Sequence, residues 1–413
     1  RAARAFPLDK EEIGELLAAA KVDWTRVEPA IFGTLLERAL SESERSKLGA
    51  HYTPRLYVER IVQVTVMEPL RAEWRDVQIK IQEAVDNSDD KKRGIGDAIR
   101  FGREFHHRLC SIRVLDPACG TGNFLYVSLE LMKGLEGEIL EKLAELGSES
   151  LALGGETVDP HQFLGLELNP RAAAIAELVI WIGALQQHYR IRKEHPPEPI
   201  LRAFQNINGG AHHGFDAVLT WDGYPVPKAE TKGGTRIETA PNARRPVWPE
   251  VEFIVGNPPF IGGKDIRSEL GDFYTETLRS VHQHMNDSAD FVMYWWDRAA
   301  EILTRKDTKL KRFGFITTNS ISQVFQRRVT ERYLNSKDPL SLVFAIADHP
   351  WTKATKDAAA VRIAMSVAEA GTHDGILLEV TSETELDTDT PKIIYARCDG
   401  RINSDLTIGV DVG

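Results

Sequence analysis

The sequence predicts an α/β fold in which a doubly wound, mostly parallel sheet carries helices on both faces. Two observations favour this fold: short apolar segments alternate with segments of helical periodicity over residues 111–380, and polar residues follow several of the apolar segments. Residues 1–110 show helical spacing instead and are expected to form a helical N-terminal region. Residues 381–413 are expected to connect the main domain to a further one.

The N-terminal region contains two stretches with apolar residues at helical spacing, residues 8–42 and about 56–70. The segment 49–54, Gly-Ala-His-Tyr-Thr-Pro, interrupts the pattern between them. Residues 71–109 are rich in charge, and within them residues 86–93 have the composition of an exposed loop. We therefore expect a helical layer in front of the main fold.

Seven segments in the main region are strand candidates, which predicts a seven-stranded sheet. They are residues 113–117, 163–168, 215–219, 253–255, 312–317, 340–346 and 361–367. Helices are predicted at 124–146, 170–189 and 291–303, and Asn169-Pro170 suits the start of the second because Asn caps helices and Pro fits the first helical position. Residues 221–250 are rich in Pro, Gly, Thr and charge, and we expect a mobile surface insertion there.

The composition is ordinary for a globular protein, with 42% hydrophobic and 27% charged residues among 413. No apolar run approaches the roughly 20 residues of a membrane helix and no signal peptide opens the chain, so we expect no membrane partner. Three cysteines without paired metal-ligand spacing fit a reducing bacterial or archaeal cytoplasm, and we predict no metal. Because the chain begins with Arg1, we expect it to be a piece of a longer protein.

The net charge of −10 argues mildly against a nucleic-acid partner, because phosphate neutralisation is the main non-specific attraction. Basic residues nevertheless cluster at four places, which either line a groove or belong to the exposed surface. The clusters are Lys91-Lys92-Arg93; Arg244-Arg245; Arg305-Lys306 with Lys309, Lys311 and Arg312; and Arg327-Arg328 with Arg332. Charge alone does not decide between these alternatives.

A glycine turn between the first strand and its helix is the first motif that indicates chemistry. Gly120 and Gly122 remove side chains where a backbone passes close to a ligand, and the following helix start suits an anionic group. The turn lacks the Gly-Lys-Ser/Thr ending of a phosphate loop. With Asp116 before it, the turn suits a zwitterion such as the methionine end of S-adenosylmethionine. The predicted cofactor loop comprises Asp116, Pro117, Ala118, Gly120, Gly122, Asn123 and Phe124.

Acidic residues at the next two predicted strands extend this interpretation. Glu167, followed by Leu168, ends an apolar strand, where a carboxylate can accept both hydroxyls of a ribose. Asp216, followed by Ala217, lies in the expected third strand and is a candidate acceptor for the cofactor's adenine amine. A purely structural role for Asp216 is equally open, because nearby asparagines and the insertion blur the alignment.

Asn257-Pro258-Pro259-Phe260, at the end of a buried strand, is the second motif. An exocyclic aromatic amine is a poor nucleophile because its lone pair is delocalised into the ring. Acceptors on its N–H groups, here the Asn257 side-chain oxygen and the Pro258 carbonyl, make that lone pair available, and the two prolines fix the backbone that carries them. Phe260 can then stack on a base extruded from a double helix. Asn-Pro is also common turn chemistry, but the preceding glycine turn favours the catalytic interpretation.

With these motifs the sequence resembles the amino-methyltransferases, and in particular the N6-adenine DNA methyltransferases. The resemblance implies a class I S-adenosylmethionine-dependent methyltransferase with a Rossmann-like, doubly wound sheet. The segment 49–54 is similar to the element that precedes the cofactor loop in the gamma arrangement of these enzymes. That similarity implies that Tyr52, Thr53 and Pro54 contact the cofactor, together with Asn257.

Residues 255–270 narrow the resemblance to the methyltransferase region of large fused type II restriction–modification proteins. It covers about residues 28–380. In that family a nuclease and helical spacer precede this region and a target-recognition domain follows it. The resemblance therefore implies site-specific methylation of double-stranded DNA on a flipped-out adenine, with the nuclease and target-recognition domains in a longer parent protein.

Other functions remain open on the sequence alone. Cytosine N4 methylation uses the same chemistry, although its enzymes more often carry Ser at the position of Asn257. Methyltransferases of ribosomal RNA guanine and of protein glutamine also use Asn-Pro-Pro-aromatic loops, but they lack the element at Tyr52-Thr53-Pro54. A non-enzymatic alternative is a DNA-binding subunit of a defence complex.

Overall fold

The structure is a computed structural model that describes residues 7–22, 27, 31, 53–148, 156–192, 206–210, 214–232, 235–351, 362–385 and 392–409. Of the helical stretch predicted at 8–42, it describes helix α1 (Lys10–Ala20), whose first turn is capped by the Asp9 carboxylate. The rest of that stretch lies outside the described residues. The same holds for Tyr52, so its predicted contact with a cofactor stays a prediction.

A helical layer precedes the sheet, as predicted. Helix α2 (Arg55–Val62) begins after Pro54 and continues through a π-helical turn, Gln63–Met67, into α3 (Glu68–Asp86). Helix α4 (Lys91–Ser111) packs against α3, and the rings of Trp74 and Phe105 stack with centroids 5.3 Å apart. The loop expected at 86–93 is shorter, residues 87–90, because the Asp90 side chain caps α4.

The main sheet has eight strands, where the sequence predicted seven. They are β1 (Val114–Asp116), β2 (Phe163–Gly165), β7 (Phe253–Gly256), β8 (Arg312–Thr318), β9 (Leu340–Pro350), β10 (Arg362–Ala370), β11 (Gly375–Thr384) and β12 (Lys392–Gly400). Their order is β12-β11-β9-β10-β8-β7-β1-β2. The half that carries the sequence motifs, β2-β1-β7-β8, is entirely parallel, as is the β9–β11 pair.

The strand predicted at 215–219 is wrong. Asp216 Oδ1 accepts the N–H groups of Val218 and Leu219 at 2.9 and 3.1 Å, and this turn withdraws both donors from a strand ladder. The position beside β2 is taken instead by Ile207, through a single parallel bridge to Gly165.

The segment 221–250 has more regular structure than its composition suggested. Strands β3 (Thr220–Trp221) and β6 (Ala243–Arg244) pair at its base, and β4 (Lys228–Lys232) and β5 (Thr235–Thr239) form a hairpin. At its end, the Trp248 indole N–H donates to the carbonyl of Ala217 at 2.8 Å.

The C-terminal prediction also needs a correction. Residues 381–384 end β11 and residues 392–400 form β12, so part of the expected connection belongs to the main sheet itself. These strands were missed because one side of each is solvent-exposed and polar residues interrupt their apolar pattern. A connecting role for the remaining residues up to 413 stays a prediction.

Helices cover both faces of the sheet and bury alternate strand residues. Val114 and Val255 belong to a core with helices α2–α4, α5 (Asn123–Glu145) and α6 (Pro170–Arg192). Leu115 and Ile254 face a second core, formed with the remaining helices. Those helices are α7 (Ile266–Leu270), α8 (Asp272–Val281), α9 (Met293–Leu303) and α10 (Val324–Leu334). The predicted doubly wound α/β class is confirmed.

None of the helices in the described ranges combines the length and the apolar character that crossing a bilayer requires.

Candidate active site

The cofactor loop begins where β1 ends. Gly120 and Gly122 both have positive φ, 52° and 85°, which L side chains rarely adopt. Gly122 also packs closely, since a Cβ there would lie 3.1 Å from Ala176 on α6, whereas the space beside Gly120 is open. The loop therefore leaves room next to the start of α5, as the sequence motif predicts.

Asp116, the last residue of β1, is the first residue of this loop. Its side chain is 1% exposed, and Oδ1 accepts the N–H of Ala118 at 3.0 Å. Burial raises the pKa of the Asp116 carboxyl to about 8, partly opposed by the Ala118 N–H and assisted by the charge of Glu167. No basic side chain among the described residues contributes to this pKa, so the carboxylate is open to pairing with a positively charged ligand.

Glu167 joins the ends of β1 and β2. Its Oε2 accepts the N–H of Gly120 at 2.8 Å, and its Oε1 accepts the N–H of Asn169 at 2.7 Å. Burial raises the pKa of its carboxyl, and these two N–H groups oppose the rise. The Leu168 N–H also bonds this carboxylate, and the acceptor capacity that is left can take a ribose hydroxyl.

Asn208 holds the backbone of Glu167 from the far side. Asn208 Oδ1 accepts the Glu167 N–H and Asn208 Nδ2 donates to the Glu167 carbonyl, both at 2.8 Å. This role of Asn208, one of the asparagines near Asp216, was not predicted from the sequence. Leu168, predicted beside Glu167, is 58% exposed.

The predicted catalytic loop, residues 257–260, begins next to Asp116. A Cβ on Gly256 would lie 2.7 Å from Asp116 Oδ1, so a larger residue there would displace the Asp116 side chain. Asn257 Nδ2 then donates to Thr53 Oγ1 at 3.0 Å. Asn257 Oδ1 is buried and has no hydrogen-bond partner among the residues that the structure describes. A buried acceptor in this state is costly unless a ligand satisfies it.

Thr53 connects the two loops. Its hydroxyl accepts from Asn257, and its carbonyl accepts from Asn123 Nδ2 on the first turn of α5 at 3.0 Å. Pro54 follows as the N-cap of α2. The structure thus brings the Thr53-Pro54 element, the cofactor loop and the catalytic loop together, as the resemblance implied.

Phe260 meets a second aromatic residue that sequence reasoning missed. The ring of Trp351 lies edge-on to Phe260, with centroids 6.4 Å apart and an interplanar angle of 82°. Trp351 also contacts Tyr57 on α2. The strand predicted at 340–346 extends to Pro350, and an aromatic directly after a sheet strand was the available signal.

Asp216 lies near Glu167, because the N–H of the preceding residue, Phe215, donates to the Glu167 carbonyl at 2.8 Å. Besides its two backbone bonds, its Oδ2 accepts the hydroxyl of Tyr274 at 2.7 Å. Burial raises the pKa of the Asp216 carboxyl, and the bonds from Val218 and Tyr274 oppose this. One lone pair of Oδ2 remains for an adenine amine, and Ala217 beside it is buried.

Two groups of potential metal ligands occur in the described ranges. They are His106 with Cys110 and Glu136, and His282 with His284 and Asp297. In each, a basic side chain already pairs with the carboxylate: Lys133 Nζ lies 2.8 Å from Glu136, and Arg245 lies 3.0 Å from Asp297. The geometry favours ion pairs at both places.

Comparison with known proteins identifies the family. A family model described as the DNA-methyltransferase domain of MmeI matches residues 81–377, more than half of the chain. The chain belongs to this family. This match confirms the resemblance to the methyltransferase region of fused restriction–modification proteins.

The relatives of this MmeI-type domain are much longer than the chain. DNA methyltransferase A of Bacillus subtilis (strain 168) is 26% identical over 360 residues, which cover 85% of the chain and 34% of that protein. A putative type II restriction enzyme and methyltransferase of Methanocaldococcus jannaschii is 28% identical over 174 residues, 38% of the chain and 14% of that protein.

A solved structure confirms the fold. The Type IIL restriction–modification enzyme MmeI in complex with DNA superposes with a TM-score of 0.67 at 23% identity, over 98% of the chain and 47% of the MmeI chain. The chain therefore spans 34% of the length of DNA methyltransferase A and 47% of the length of the MmeI chain.

Proposed function

We propose that this MmeI-type domain transfers a methyl group from S-adenosylmethionine to the exocyclic N6 of adenine in double-stranded DNA, as part of a restriction–modification system. One observation carries the proposal: Asn257 is fixed through its amide nitrogen by Thr53, while its buried Oδ1 has no partner among the described residues. A side chain held in this way presents an acceptor to an amine N–H. That is the requirement for activating a delocalised lone pair.

The cofactor pocket fits S-adenosylmethionine at both ends. Asp116 would face the ammonium group, and the open space beside Gly120 at the start of α5 would take the carboxylate. Glu167 would accept the ribose hydroxyls, and Asp216 with Tyr274 behind it would meet the adenine amine. The remaining residues of the cofactor loop, Pro117, Ala118, Asn123 and Phe124, would line the pocket, with Tyr52, Thr53 and Pro54 closing it.

The catalytic loop would hold the target amine next to this pocket. When bound, S-adenosylmethionine supplies a methyl group on a positively charged sulfur. Asn257 Oδ1 and the Pro258 carbonyl accept the two N–H groups of the amine and turn its lone pair toward the cofactor side. Pro258 and Pro259 contribute no N–H that competes for these acceptors.

An aromatic corner would receive the base. Phe260 offers a ring face for stacking, and Trp351 closes the corner at an angle of 82° to it. A base reaches this position only after it leaves the double helix, which costs a few kcal/mol of stacking and pairing. Stacking on Phe260 offsets part of that cost.

Adenine is preferred over cytosine because the motif carries Asn at position 257, and DNA is preferred over ribosomal RNA or protein because the Thr53 element is present. Target recognition and any DNA cleavage would belong to other domains of the full-length protein, and we keep the prediction of a cytoplasmic location. Cytosine N4, ribosomal RNA guanine, protein glutamine and a non-enzymatic DNA-binding role are the alternatives.

Label transfer tests the proposal. The full-length protein is incubated with tritiated S-adenosylmethionine and, separately, duplex DNA, ribosomal RNA or protein, and labelled DNA is digested to nucleosides. We expect label in N6-methyl-2′-deoxyadenosine, from DNA alone. Label in N4-methylcytosine, in RNA or in protein would select the corresponding alternative, and an unlabelled set with measurable DNA binding would favour the non-enzymatic one.

A further inference from the structure

The backbone that follows Phe260 is held from outside the catalytic loop. Pro258 and Pro259 have no N–H donors, so this stretch cannot be anchored by regular ladder bonds. Instead, the Ile261 carbonyl accepts the Phe291 N–H at 2.9 Å, and the Asp290 carboxylate accepts the Gly263 N–H, also at 2.9 Å. Residues 290 and 291 thus form the anchor of the loop.

The second oxygen of Asp290 reaches the edge of the sheet. Its Oδ2 accepts the Ser320 hydroxyl at 2.5 Å and, more weakly, the Thr318 hydroxyl at 3.4 Å. Thr318 is the last residue of β8, the parallel neighbour of the strand that leads into Asn257. One carboxylate therefore fastens the turn after Phe260 to the adjacent strand end.

The contact at Gly263 depends on backbone proximity. A Cβ on Gly263 would lie 2.3 Å from the Ser288 carbonyl oxygen, so no other residue fits without a shift of the chain. The turn and the segment that leads to Asp290 are packed backbone against backbone. A shift of the Asp290 side chain would therefore also displace the turn.

The same segment reaches the cofactor loop through a different side chain. The Trp295 indole N–H donates to the Pro117 carbonyl at 3.0 Å. Phe291 packs edge-on to Trp295, with centroids 4.9 Å apart. The two loops are thus contacted by separate residues of one segment, which makes their contributions separable by mutation.

We propose that Asp290 is a positioning residue for methyl transfer, an inference that rests on the proposed function. In the proposed mechanism it contacts neither the base nor the cofactor. It acts through Gly263, holding the turn so that Phe260 and the two acceptors keep their distance to the target amine. A displacement of about 1 Å in such an arrangement can lower a rate about a hundredfold.

Four variants of the full-length protein test the inference. With duplex DNA and saturating cofactor, Asp290→Ala should lower the single-turnover rate of methyl transfer about ten- to a hundredfold. Its Kd for S-adenosylmethionine, from calorimetry, should stay within about twofold of wild type because the Pro117 contact is intact. Trp295→Phe should show a different pattern, a severalfold higher Kd.

Asp290→Asn is the matched rescue. Its amide oxygen still accepts from Gly263 and its amide nitrogen can donate to the Ser320 oxygen, so most of the rate should return. A general loss of packing would explain neither observation: it would not be reversed by Asn, and it would weaken cofactor binding together with the rate. If Asp290→Ala fails to fold, Ser320→Ala, which removes a single hydroxyl, should lower the rate with an unchanged melting temperature.

The outcomes separate the two proposals. A wild-type protein that labels no DNA contradicts the proposed function and withdraws this inference with it. An active wild type whose Asp290→Ala and Ser320→Ala variants keep the full rate contradicts the inference alone. So does an Asp290→Asn protein as slow as Asp290→Ala, since the effect would then come from the charge and not from the hydrogen bond to Gly263.

Discussion

At the scale of single residues, Asn257 presents an acceptor because Thr53 fixes its Nδ2 while its buried Oδ1 has no partner among the described residues, a state that Asn123 shares. Asn257→Ala removes the acceptor and should lower the rate of methyl transfer by about a hundredfold or more, the order found for a lost preorganised hydrogen bond. Its Kd for S-adenosylmethionine should change little. An equal loss of both in a filter-binding and label-transfer comparison would contradict the catalytic assignment.

Thr53 provides a matched pair at the same place. Thr53→Val keeps the shape but removes the hydroxyl that accepts from Asn257 Nδ2. The freed amide can rotate, so the rate should fall, whereas Thr53→Ser keeps the hydroxyl and should stay close to wild type. Steady-state rates at saturating DNA measure the difference, and equal rates for the two variants would exclude this role for the hydroxyl.

Asp116 should make cofactor binding depend on pH. Its pKa is raised to about 8, so the carboxyl of the free protein is mostly protonated below that value and must lose a proton to face an ammonium group. Affinity should therefore increase as pH rises from 6 to 8, by at most about tenfold per unit. Calorimetry in buffers of different ionisation enthalpy should detect the released proton.

The same shift has a consequence for stability, with a defined sign. Because the folded pKa is higher than the ordinary 3.8, the stability that Asp116 contributes is complete below that value and is lost as pH rises through about 8. Asp116→Asn cannot ionise and should lose less stability between pH 6 and 9 in urea titrations. It should also bind the cofactor more weakly and without the pH slope. A wild-type-like slope would contradict the assignment.

At the scale of elements, the end of β2 depends on a side chain outside any strand. Asn208 satisfies both backbone groups of Glu167. Asn208→Ala should lower the free energy of unfolding by about 1–3 kcal/mol, the cost of leaving the Glu167 N–H unpaired, and should also raise the Kd for the cofactor, while the Glu167 carbonyl keeps its bond from Phe215. Asn335→Ala, at an exposed position directly after α10, is the control and should change neither by much. Urea unfolding measures the first effect.

The elements also show what the sequence could and could not predict. Buried strands such as β7 and β8 were predicted because parallel strands covered on both faces are nearly continuous apolar runs. The same apolar pattern at 215–219 led to a wrong strand prediction. The side chain of Asp216 forms a turn there, which the hydrophobicity pattern does not reveal. Strands β11 and β12 were missed for the opposite reason, since their exposed positions dilute the pattern.

The site divides in the same way. Asp116, Glu167 and Asn257 were predicted because each follows a strand, and the carboxyl ends of parallel strands share one edge of the sheet. Trp351, Tyr274 and Asp290 were not, because their roles depend on side chains that meet across distant parts of the chain. Such contacts leave no local signal in a single sequence.

At the scale of the whole molecule, the sheet is stabilised by two cores on opposite faces. Trp296 is fully buried in one of them, edge-on to Phe313. Trp296→Ala should lower the free energy of unfolding by about 3–5 kcal/mol. Tyr224→Ala, at a residue that is 88% exposed, should change it by about 0.5 kcal/mol or less. Comparable losses in the two variants would contradict this account of the core.

Thr53 has a further consequence for how the two ligands influence each other. Its hydroxyl accepts from Asn257 in the proposed catalytic loop. Its carbonyl accepts from Asn123, at the start of the helix that borders the proposed cofactor pocket. Any shift of this one residue on binding one ligand alters the surroundings of the other, so the two binding equilibria are thermodynamically linked. Linkage is reciprocal: the factor by which DNA changes the affinity for cofactor equals the factor by which cofactor changes the affinity for DNA. Measuring either factor gives the other, and Thr53→Val should bring both toward one.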